Sequence, residues 1–293
     1  MLLRHIRYFL AVTEHRNFTR AAEALHVSQP TLSQQIKQLE DVLGAQLLDR
    51  TGRTIRLTDA GKAYAQYARR ALQDLDAGRR AIHDAKELTR GELRLAMTPT
   101  FTAYLMGPLM AAFHARYPGI HLSVTEMNQD HIEALLVQDD LDIGVGFKQA
   151  RSVEIDSRVW FVETLAVMVG KGHPYATRRR PLSIGDFEKE SLVLLNGDFA
   201  TREHIDSYCQ ERGIKPRIAI ETNSIAAIVQ IVRHSKSLAT VLPEAVAKQH
   251  DELSRIALRE AMPKRNVALL QRKGAYQTAA CQAFLKMASE WKL

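Results

Sequence analysis

Apolar side chains recur at helical spacing through the first sixty residues and predict three short helices. The second is an alanine-rich segment from Thr19 to Leu25. Ser28 is a favourable N-cap for the third helix, and Pro30 falls in its first turn, where the missing N–H of proline is tolerated. The expected buried stripe of this third helix consists of Leu32, Ile36, Leu39 and Leu43.

The opposite face of the third helix carries polar side chains, nearly all uncharged, which add nothing to a core. Glutamine offers a donor and an acceptor together to adenine, and lysine reaches guanine or a phosphate. Two helices joined by a short turn, the second polar on its outer face, are typical of a helix-turn-helix. A plain solvated helix face would have the same composition, so both interpretations stay open. The candidate DNA contacts are Gln29, Pro30, Thr31, Ser33, Gln34, Lys37 and Gln38.

Three arginines surround a predicted turn at residues 51–52, between short segments that alternate like a hairpin. Arg53 stands at the tip, where an arginine can enter a narrow, electronegative minor groove. Arg50 and Arg56 are expected to meet phosphates or internal acidic side chains. Helices and hairpin together predict a winged helix-turn-helix DNA-binding domain over residues 1–58, with Arg50 and Arg53 among its DNA contacts.

A long helix is predicted from Thr58 onward, since no proline follows until Pro99. Its small and apolar residues recur with a 3.5-residue period, which favours a partner helix. Packing against the chain's own second domain is the alternative. We interpret residues 59–90 as a linker helix for dimerisation. The predicted seam comprises Tyr64, Ala68, Ala71, Leu75, Gly78, Ile82 and Ala85.

Beyond Gly91 strands alternate with helices, which predicts an α/β fold with parallel sheets and right-handed crossovers. The alternation occurs twice, and a last strand and helix can return to the first sheet. We therefore expect an effector-binding domain over residues 91–293, built from two subdomains with a cleft between them. Subdomain I is expected at 91–161 and 266–293, and subdomain II at 162–265.

Ligands of open α/β sheets bind beyond the carboxyl ends of the strands. Hydroxyl and amide side chains stand there at three predicted strand-to-helix junctions, namely Thr98 with Thr100, Asn196 with Thr201, and Asn223. A helix N-terminus with a threonine hydroxyl is suited to a small anion. Each residue alone is also an ordinary helix cap, so only their convergence from both subdomains predicts a binding site.

The chain has 293 residues, of which 46% are hydrophobic and 25% charged, and a net charge of +7. The basic excess lies in the first third, because residues 1–90 carry 15 Lys and Arg against 10 Asp and Glu, whereas residues 91–293 carry 25 against 23. This balance favours a polyanionic partner there, and a solvated basic face would give the same balance. Since no apolar run reaches the roughly 18 residues of a membrane span, we expect a cytoplasmic protein that does not enter a membrane.

The sequence shows no nucleophile elbow, phosphate-binding glycine loop or metal-ligand spacing, so we expect no catalysis, no metal and no cofactor. His204 and Asp206 are interpreted as surface polar residues. Cys209 and Cys281 form no redox or metal motif and are expected to be reduced, partly buried thiols. A small-molecule sensor that acts through a protein partner remains the rival to a DNA-binding regulator, and salt dependence of binding separates the two.

Residues 18–61 resemble the N-terminal signature of the LysR-type transcriptional regulators, and the remainder fits that family's effector domain, which is similar to periplasmic binding proteins. The resemblance implies a homodimer or homotetramer that binds double-stranded promoter DNA, bends it, and changes the bend when a small molecule enters the cleft. RNA polymerase is the further partner expected. Family DNA contacts fall on Gln29, Pro30, Thr31, Ser33, Gln34, Lys37 and Arg53, and family effector contacts on Thr98, Thr100, Phe101, Phe147 and Thr201.

Several segments further resemble the cyanate-responsive activators of this family, which implies cyanate as a small anionic effector and a cyanate-degradation operon as the target. Hydroxyls and helix N-termini would bind such an anion, with charge from Arg202 if it turns inward. One departure is that many family members carry a glycine where this chain has Ala239 and Thr240. The resembling segments are residues 89–91, 98–102, 107–110, 115–118, 199–203, 221–225 and 249–251.

Replacing Arg53 with alanine should weaken DNA binding equally with and without effector, because the side chain is assigned to the groove and not to the cleft. The slope of log affinity against log salt concentration should fall by about 0.9 for one lost phosphate contact, or less if Arg53 meets base edges alone. Gel-shift titrations at several salt concentrations measure both quantities. An unchanged affinity would remove Arg53 from the interface.

Overall fold

The computed structural model of the chain describes residues 3–51, 55–84, 91–177 and 180–291. The chain divides into two units, Met1–Arg79 and Arg80–Leu293. The first contains three short helices, a two-stranded ribbon and most of a long helix, and the second contains two five-stranded sheets with their helices.

The helices of the first unit are α1 (Leu3–His15), α2 (Phe18–Ala24) and α3 (Gln29–Leu43). Ser28 caps α3 by accepting the amide of Thr31, with proline in the first turn, as the sequence predicts. The predicted buried stripe is one residue too long, since Leu43 is 38% exposed. The helix ends there because Gly44 adopts a left-handed conformation, with φ of +64°.

A two-stranded antiparallel ribbon follows, formed by β1 (Leu48–Asp49) and β2 (Arg56–Leu57). The Glu40 carboxylate of α3 holds this ribbon in place. It accepts the amides of Leu47 and Leu48 at 2.8 and 3.1 Å and the guanidinium of Arg50 at 2.8 Å. The strands of the predicted hairpin are confirmed, whereas its tip with Arg53 lies outside the described residues.

The long helix α4 (Asp59–Asp84) begins where the sequence predicts. Its first turns pack within their own unit, because Tyr64 contacts Phe9 with ring centroids 5.5 Å apart. Ala71 and Gly78 are exposed and Leu75 is 54% exposed, so the seam predicted for a partner helix is open from Ala71 to Gly78. Residues 85–90 of the predicted linker helix lie outside the described residues.

The strands of the second unit are β3 (Gly91–Met97), β4 (Ile120–Glu126), β5 (Ile143–Phe147), β6 (Ile155–Glu163), β7 (Leu165–Gly170), β8 (Ser191–Leu195), β9 (Arg217–Thr222), β10 (Leu238–Pro243), β11 (Leu253–Ile256) and β12 (Arg265–Arg272). Its helices are α5 (Pro99–Phe101), α6 (Gly107–Arg116), α7 (Gln129–Val137), α8 (Ile184–Glu188), α9 (Ala200–Glu211), α10 (Ile225–His234), α11 (Glu244–Ala247) and α12 (Ala279–Glu290).

The strand order is β4-β3-β5-β12-β6 in the first sheet and β11-β7-β10-β8-β9 in the second. Strand β3 is parallel to β4 and β5, and β8 is parallel to β9 and β10, which confirms the two predicted α/β groups. Strand β12 returns to the first sheet as predicted, antiparallel to β5 and β6. Strands β6, β7 and β11 were not predicted from the sequence. Strand β6 is a half-exposed edge strand and β7 is a short continuous apolar run, and neither has a clear hydrophobic period.

A π-helical turn, Thr102–Met106, separates α5 from α6. Pro108 has no N–H to donate to the carbonyl of Tyr104 four residues earlier, so that carbonyl loses its helical partner. The side-chain amide of Gln249 donates to it instead, at 2.8 Å. The proline therefore fixes a contact between the first sheet's helical layer and the segment that follows α11.

Buried apolar residues of both sheets merge into one cluster, which includes Phe101, Phe113 and Met168. The two sheets therefore share part of their core. In the part of the chain that the structure describes, every helix is too short or too polar to cross a lipid bilayer.

Replacing Glu40 with alanine should lower the stability of the first unit by about 2–3 kcal/mol, because two buried amides and Arg50 lose a charged acceptor. Asp41→Ala is the matched control on the exposed side of the same helix and should change stability by less than about 0.5 kcal/mol. Differential scanning calorimetry of the two variants measures the difference. Equal stabilities would show that the ribbon does not depend on Glu40.

Candidate DNA interface and effector cleft

The outer face of α3 is exposed and polar, as a surface that reads DNA must be. Pro30, Thr31, Gln34 and Lys37 are exposed, while Ser33 is half-buried. Gln29 and Gln38 are also exposed. Because α3 is fixed from behind by its buried leucine and isoleucine residues, this polar face is presented on a rigid element.

Contacts within the unit hold some of the predicted DNA-binding side chains. The Oε1 atom of Gln38 accepts the amide of Gln35 at 3.0 Å. The guanidinium of Arg50 lies 5.2 Å from the ring of Phe18 in addition to pairing with Glu40. Arg50 therefore pairs with an internal acidic side chain, which is one of the two alternatives predicted from the sequence. Only its remaining N–H groups can donate to a phosphate.

A chain of polar contacts crosses the cleft between the two sheets of the second unit. The hydroxyls of Thr100 and Thr201 are 2.8 Å apart, and Arg265 donates to the Thr201 hydroxyl at 2.9 Å. The other end of the same guanidinium pairs with Glu163, whose second oxygen accepts the Tyr104 hydroxyl at 2.6 Å. All five side chains are more than nine-tenths buried, so the chain of contacts is shielded from water.

Burial governs the ionisation of this cluster. It lowers the pKa of Arg265 from its usual range, and the carboxylate of Glu163 opposes that effect. Burial and the negative charge of Glu163 raise the pKa of Tyr104, so its hydroxyl stays protonated and donates. The guanidinium carbon of Arg265 lies 4.4 Å from the centre of the Phe147 ring, which supports the cation on its unpaired face.

Two cavities open beside this polar chain. The larger, of about 400 Å³, is bordered by Phe147 and Arg265 and by Ala200 at the start of α9. The smaller, of about 280 Å³, is bordered by Pro99, Asn196 and Asn223 among others.

An exposed arginine bridges the mouth of the larger cavity. Arg151 binds Asp130 of α7 and Glu203 of α9, each at 2.6 Å, and thereby joins the two sheets' helical layers. The backbone amide of Arg151 is in turn held by the buried Glu133 at 2.9 Å. Exposed ion pairs of this kind contribute about 0–1 kcal/mol each, so the bridge can open readily.

The predicted effector residues separate into three groups. Thr100 and Thr201 meet across the cleft, with Phe101 packed on Phe147 at 5.2 Å between ring centroids. Asn196 and Asn223 line the smaller cavity, apart from the larger one that Phe147 borders. Thr98 is buried, and its hydroxyl has no hydrogen-bond partner within the described residues. The predicted residues do follow the carboxyl ends of strands β3, β8 and β9, but their side chains do not converge on one pocket.

From the sequence, a charge from Arg202 was conditional on an inward orientation, and the Arg202 guanidinium is instead engaged by acidic side chains of its own layer. Its guanidinium binds Asp206 at 2.9 Å, Glu221, and the carbonyl of Leu195 at 3.1 Å. The buried cation of the cleft is Arg265. The sequence signal for Arg265 was its place as the first residue of the last buried strand, β12. From the sequence alone there was no reason to prefer Arg265 to Arg202 as this cation.

The two residues at which the resemblance implies a glycine in many family members lie inside the second sheet. Ala239 and Thr240 are fully buried in β10. The hydroxyl of Thr240 has no partner among the described residues, so it is a buried polar group that the fold tolerates without a hydrogen bond.

Both cysteines are buried thiols. Burial raises the pKa of Cys209 to about 11 and that of Cys281 to about 12. Neither is a reactive thiolate at neutral pH. The described residues hold no group of three or more His, Cys, Asp or Glu side chains that could bind a metal ion.

Comparison with known families identifies both units. Residues 3–62 match the bacterial regulatory helix-turn-helix protein, lysR family, and residues 86–292 match the LysR substrate binding domain. The chain belongs to the LysR family of transcriptional regulators. It is therefore a DNA-binding regulator with an effector-binding domain, and not an enzyme.

Individual relatives are similar over nearly the whole length. A RuBisCO operon transcriptional regulator of Allochromatium vinosum is 31% identical, covering 96% of this chain and 93% of the relative. The dual regulator OxyR of Escherichia coli K12 is 28% identical, covering 94% and 90%. The solved structure of full-length CbnR with its target DNA matches with a TM-score of 0.66 and 25% identity over 99% of both chains.

These relatives give no support to cyanate as the effector. Their names refer to a RuBisCO operon and to a regulator called OxyR, while a similar protein of Dickeya chrysanthemi is named a hydrogen peroxide-inducible genes activator. The comparisons therefore establish the family and, with it, transcriptional regulation as the class of function.

Replacing Thr201 with valine should destabilise the second unit by about 1–3 kcal/mol, because Thr100 and Arg265 lose a buried partner. Thr240→Val is the matched control, since it removes a buried hydroxyl without a partner. That variant should be as stable as the wild type or about 1 kcal/mol more stable. Both tryptophans, Trp160 and Trp291, lie in the second unit, so urea unfolding followed by their fluorescence measures this unit alone. Equal losses in both variants would contradict the assignment.

Proposed function

We propose that this LysR-family regulator activates its target operon when a small anion enters the cleft between the two sheets of its second unit. The observation that carries the proposal is the polar chain from Thr100 through Thr201 to Arg265, which joins residues on both sides of the cleft. A ligand that entered there would exchange these contacts for its own. It would thereby shift the equilibrium between closed and open cleft, provided that it binds one state better than the other.

We further propose that the exposed face of α3 reads the major groove, with Gln34 and Lys37 as central contacts. Neither side chain makes a hydrogen bond or ion pair within the described residues, so both are available to DNA. The open seam of α4 from Ala71 to Gly78 is part of the proposed dimer contact, and pairs of dimers would form the homotetramer. On this proposal residues 1–58 bind DNA, 59–90 link, and 91–293 bind effector and contact RNA polymerase.

Cyanate is the specific effector proposed, from the resemblance to the cyanate-responsive activator CynR. A linear triatomic anion is much smaller than the 400 Å³ cavity, so a larger monoanion would fill the space better. Hydrogen peroxide, which the names of several relatives suggest, fits less well. Thiol oxidation needs an accessible thiolate, and the pKa values of Cys209 and Cys281 are raised by burial.

A DNase I footprint on the DNA upstream of the chain's own gene, with and without millimolar cyanate, tests this function. The expected result is a protected region whose length and hypersensitive bands change with cyanate. Protection that ignores cyanate but changes with another small anion would retain the mechanism and reject cyanate. Binding that is insensitive to salt would contradict the DNA interface and favour a protein partner, because phosphate contacts make affinity fall steeply with salt.

Thr100→Val is the matching variant. It should keep the effector-free footprint and lose the change caused by effector, since Thr100 lies in the second unit and is part of the chain across the cleft. An unaltered response in this variant would remove the Thr100–Thr201 contact from the switch.

A further inference from the structure

Three hydrogen-bonded side chains lead from the core of the first unit to the outer face of α3. The Nε2 atom of His5, on α1, lies 2.9 Å from the Oε1 atom of Gln35 on α3. The Nε2 atom of Gln35 donates to the Oε1 atom of Gln38 at 3.0 Å. His5 is buried, Gln35 is half-buried and Gln38 is exposed. This His5–Gln35–Gln38 relay therefore connects a core position with a candidate DNA contact.

The direction of the hydrogen bonds in the relay follows from what each atom can do. A carboxamide oxygen only accepts, so the Oε1 atom of Gln35 requires a hydrogen on the Nε2 atom of His5. The Nε2–H tautomer and the imidazolium both carry that hydrogen, and each of them permits only this direction. The opposite direction would rotate both carboxamides and would require a His5 whose Nε2 atom has no hydrogen. The buried imidazole therefore fixes the orientation of both glutamine amides.

Burial keeps the relay in place. An imidazole N–H that is removed from water without an acceptor costs free energy, and Gln35 is the acceptor that α3 supplies to His5. Helix α1 is anchored by the buried side chains of Phe9 and Val12, and α3 by its own buried stripe. Both ends of the relay thus stand on packed helices, and the carboxamide of Gln38 does not rotate freely as that of a solvated glutamine does.

The relay decides which end of the Gln38 carboxamide is left for DNA. The oxygen of Gln38 already accepts from Gln35, and its NH2 group makes no hydrogen bond with the described part of the chain. An unconstrained glutamine offers a donor and an acceptor together, which suits adenine. Gln38 instead offers mainly its two N–H donors, which suit the O6 and N7 atoms of guanine or the O4 atom of thymine.

We infer that His5 and Gln35 are positioning residues of the DNA interface, which orient Gln38 so that it donates to guanine or thymine in the major groove. The inference rests on the proposed function of α3 as the element that reads the major groove, and it adds the kind of base edge that one side chain selects. Gln34 makes no hydrogen bond within the described residues and keeps both its donor and its acceptor.

Selection of bound duplexes from a randomised double-stranded DNA library gives the base preference of the full chain at each operator position. Gln38→Ala locates the position that Gln38 contacts, because the preference should vanish there. The wild type should favour guanine or thymine at this position over adenine or cytosine by about fivefold or more. Gel shifts with duplexes that differ only at this base pair measure the ratio.

Gln35→Glu should invert that preference. A carboxylate only accepts, so it would accept from His5 and from the NH2 group of Gln38, and the oxygen of Gln38 would then be left for DNA. The favoured base should change to adenine or cytosine, whose exocyclic amino groups donate. The added negative charge should weaken binding to all sequences alike, so the ratio between bases, and not the affinity, is the readout.

Gln35→Met removes the relay without adding a charge. The preference at the Gln38 position should then relax, because the carboxamide of Gln38 can rotate. Gln34→Met is the matched control, since it makes the same change on the same helix outside the relay and should alter the preference at a different position. His5→Phe should relax the preference as Gln35→Met does, and thermal unfolding establishes whether this variant is folded. If it is not, the two Gln35 variants decide.

The outcomes separate this inference from the proposed function. An unchanged base preference in Gln35→Glu, or in a folded His5→Phe variant, overturns the inference, and so does a wild-type preference for adenine or cytosine at the position that Gln38 contacts. In each of these cases the selected operator sequence still supports the proposed function. If the wild type selects no sequence at all, the reading of the major groove by α3 fails, and the inference fails with it.

Discussion

The buried ion pair between Arg265 and Glu163 sets the conditions for the rest of the second unit. Two charges far from water are tolerated only when further hydrogen bonds satisfy them, and removal of one partner leaves an unpaired buried charge. Tyr104 supplies such a bond to the carboxylate, and Thr201 supplies one to the guanidinium. Because Thr201 belongs to the second sheet's layer and the ion pair to the first, satisfying the charges also ties the two layers together.

In this arrangement a polar cluster, and not shape alone, sets the relative placement of the two layers. The apolar core shared by both sheets favours close packing without choosing one geometry, since hydrophobic contacts are not directional. Hydrogen bonds between hydroxyls and a guanidinium are directional, and they hold in one relative placement of the layers.

In the DNA-binding unit, different side chains provide stability and recognition. Its buried residues hold α3 from behind, and Glu40 fastens the neighbouring ribbon through three hydrogen bonds. The polar side chains on the outer face contribute little to that core and remain available for contact. Stability and recognition thus occupy opposite faces of one helix, whereas in the second unit the same residues serve closure and the proposed ligand.

The sequence by itself determined the local elements, because helix periods, caps and turns depend on neighbours within a few residues. The cap at Ser28, the helix α3 and the alternation of strands with helices were readable in this way. The polar chain across the cleft was not, since Tyr104 and Glu163 are 59 residues apart and Glu163 and Arg265 are 102 apart. Only tertiary packing decided that Arg265, and not Arg202, is the buried cation of the cleft, that the Thr100 and Thr201 hydroxyls meet, and that Asn196 and Asn223 border a cavity apart from them. Burial and long-range pairing are properties of the whole fold, and no local pattern records them.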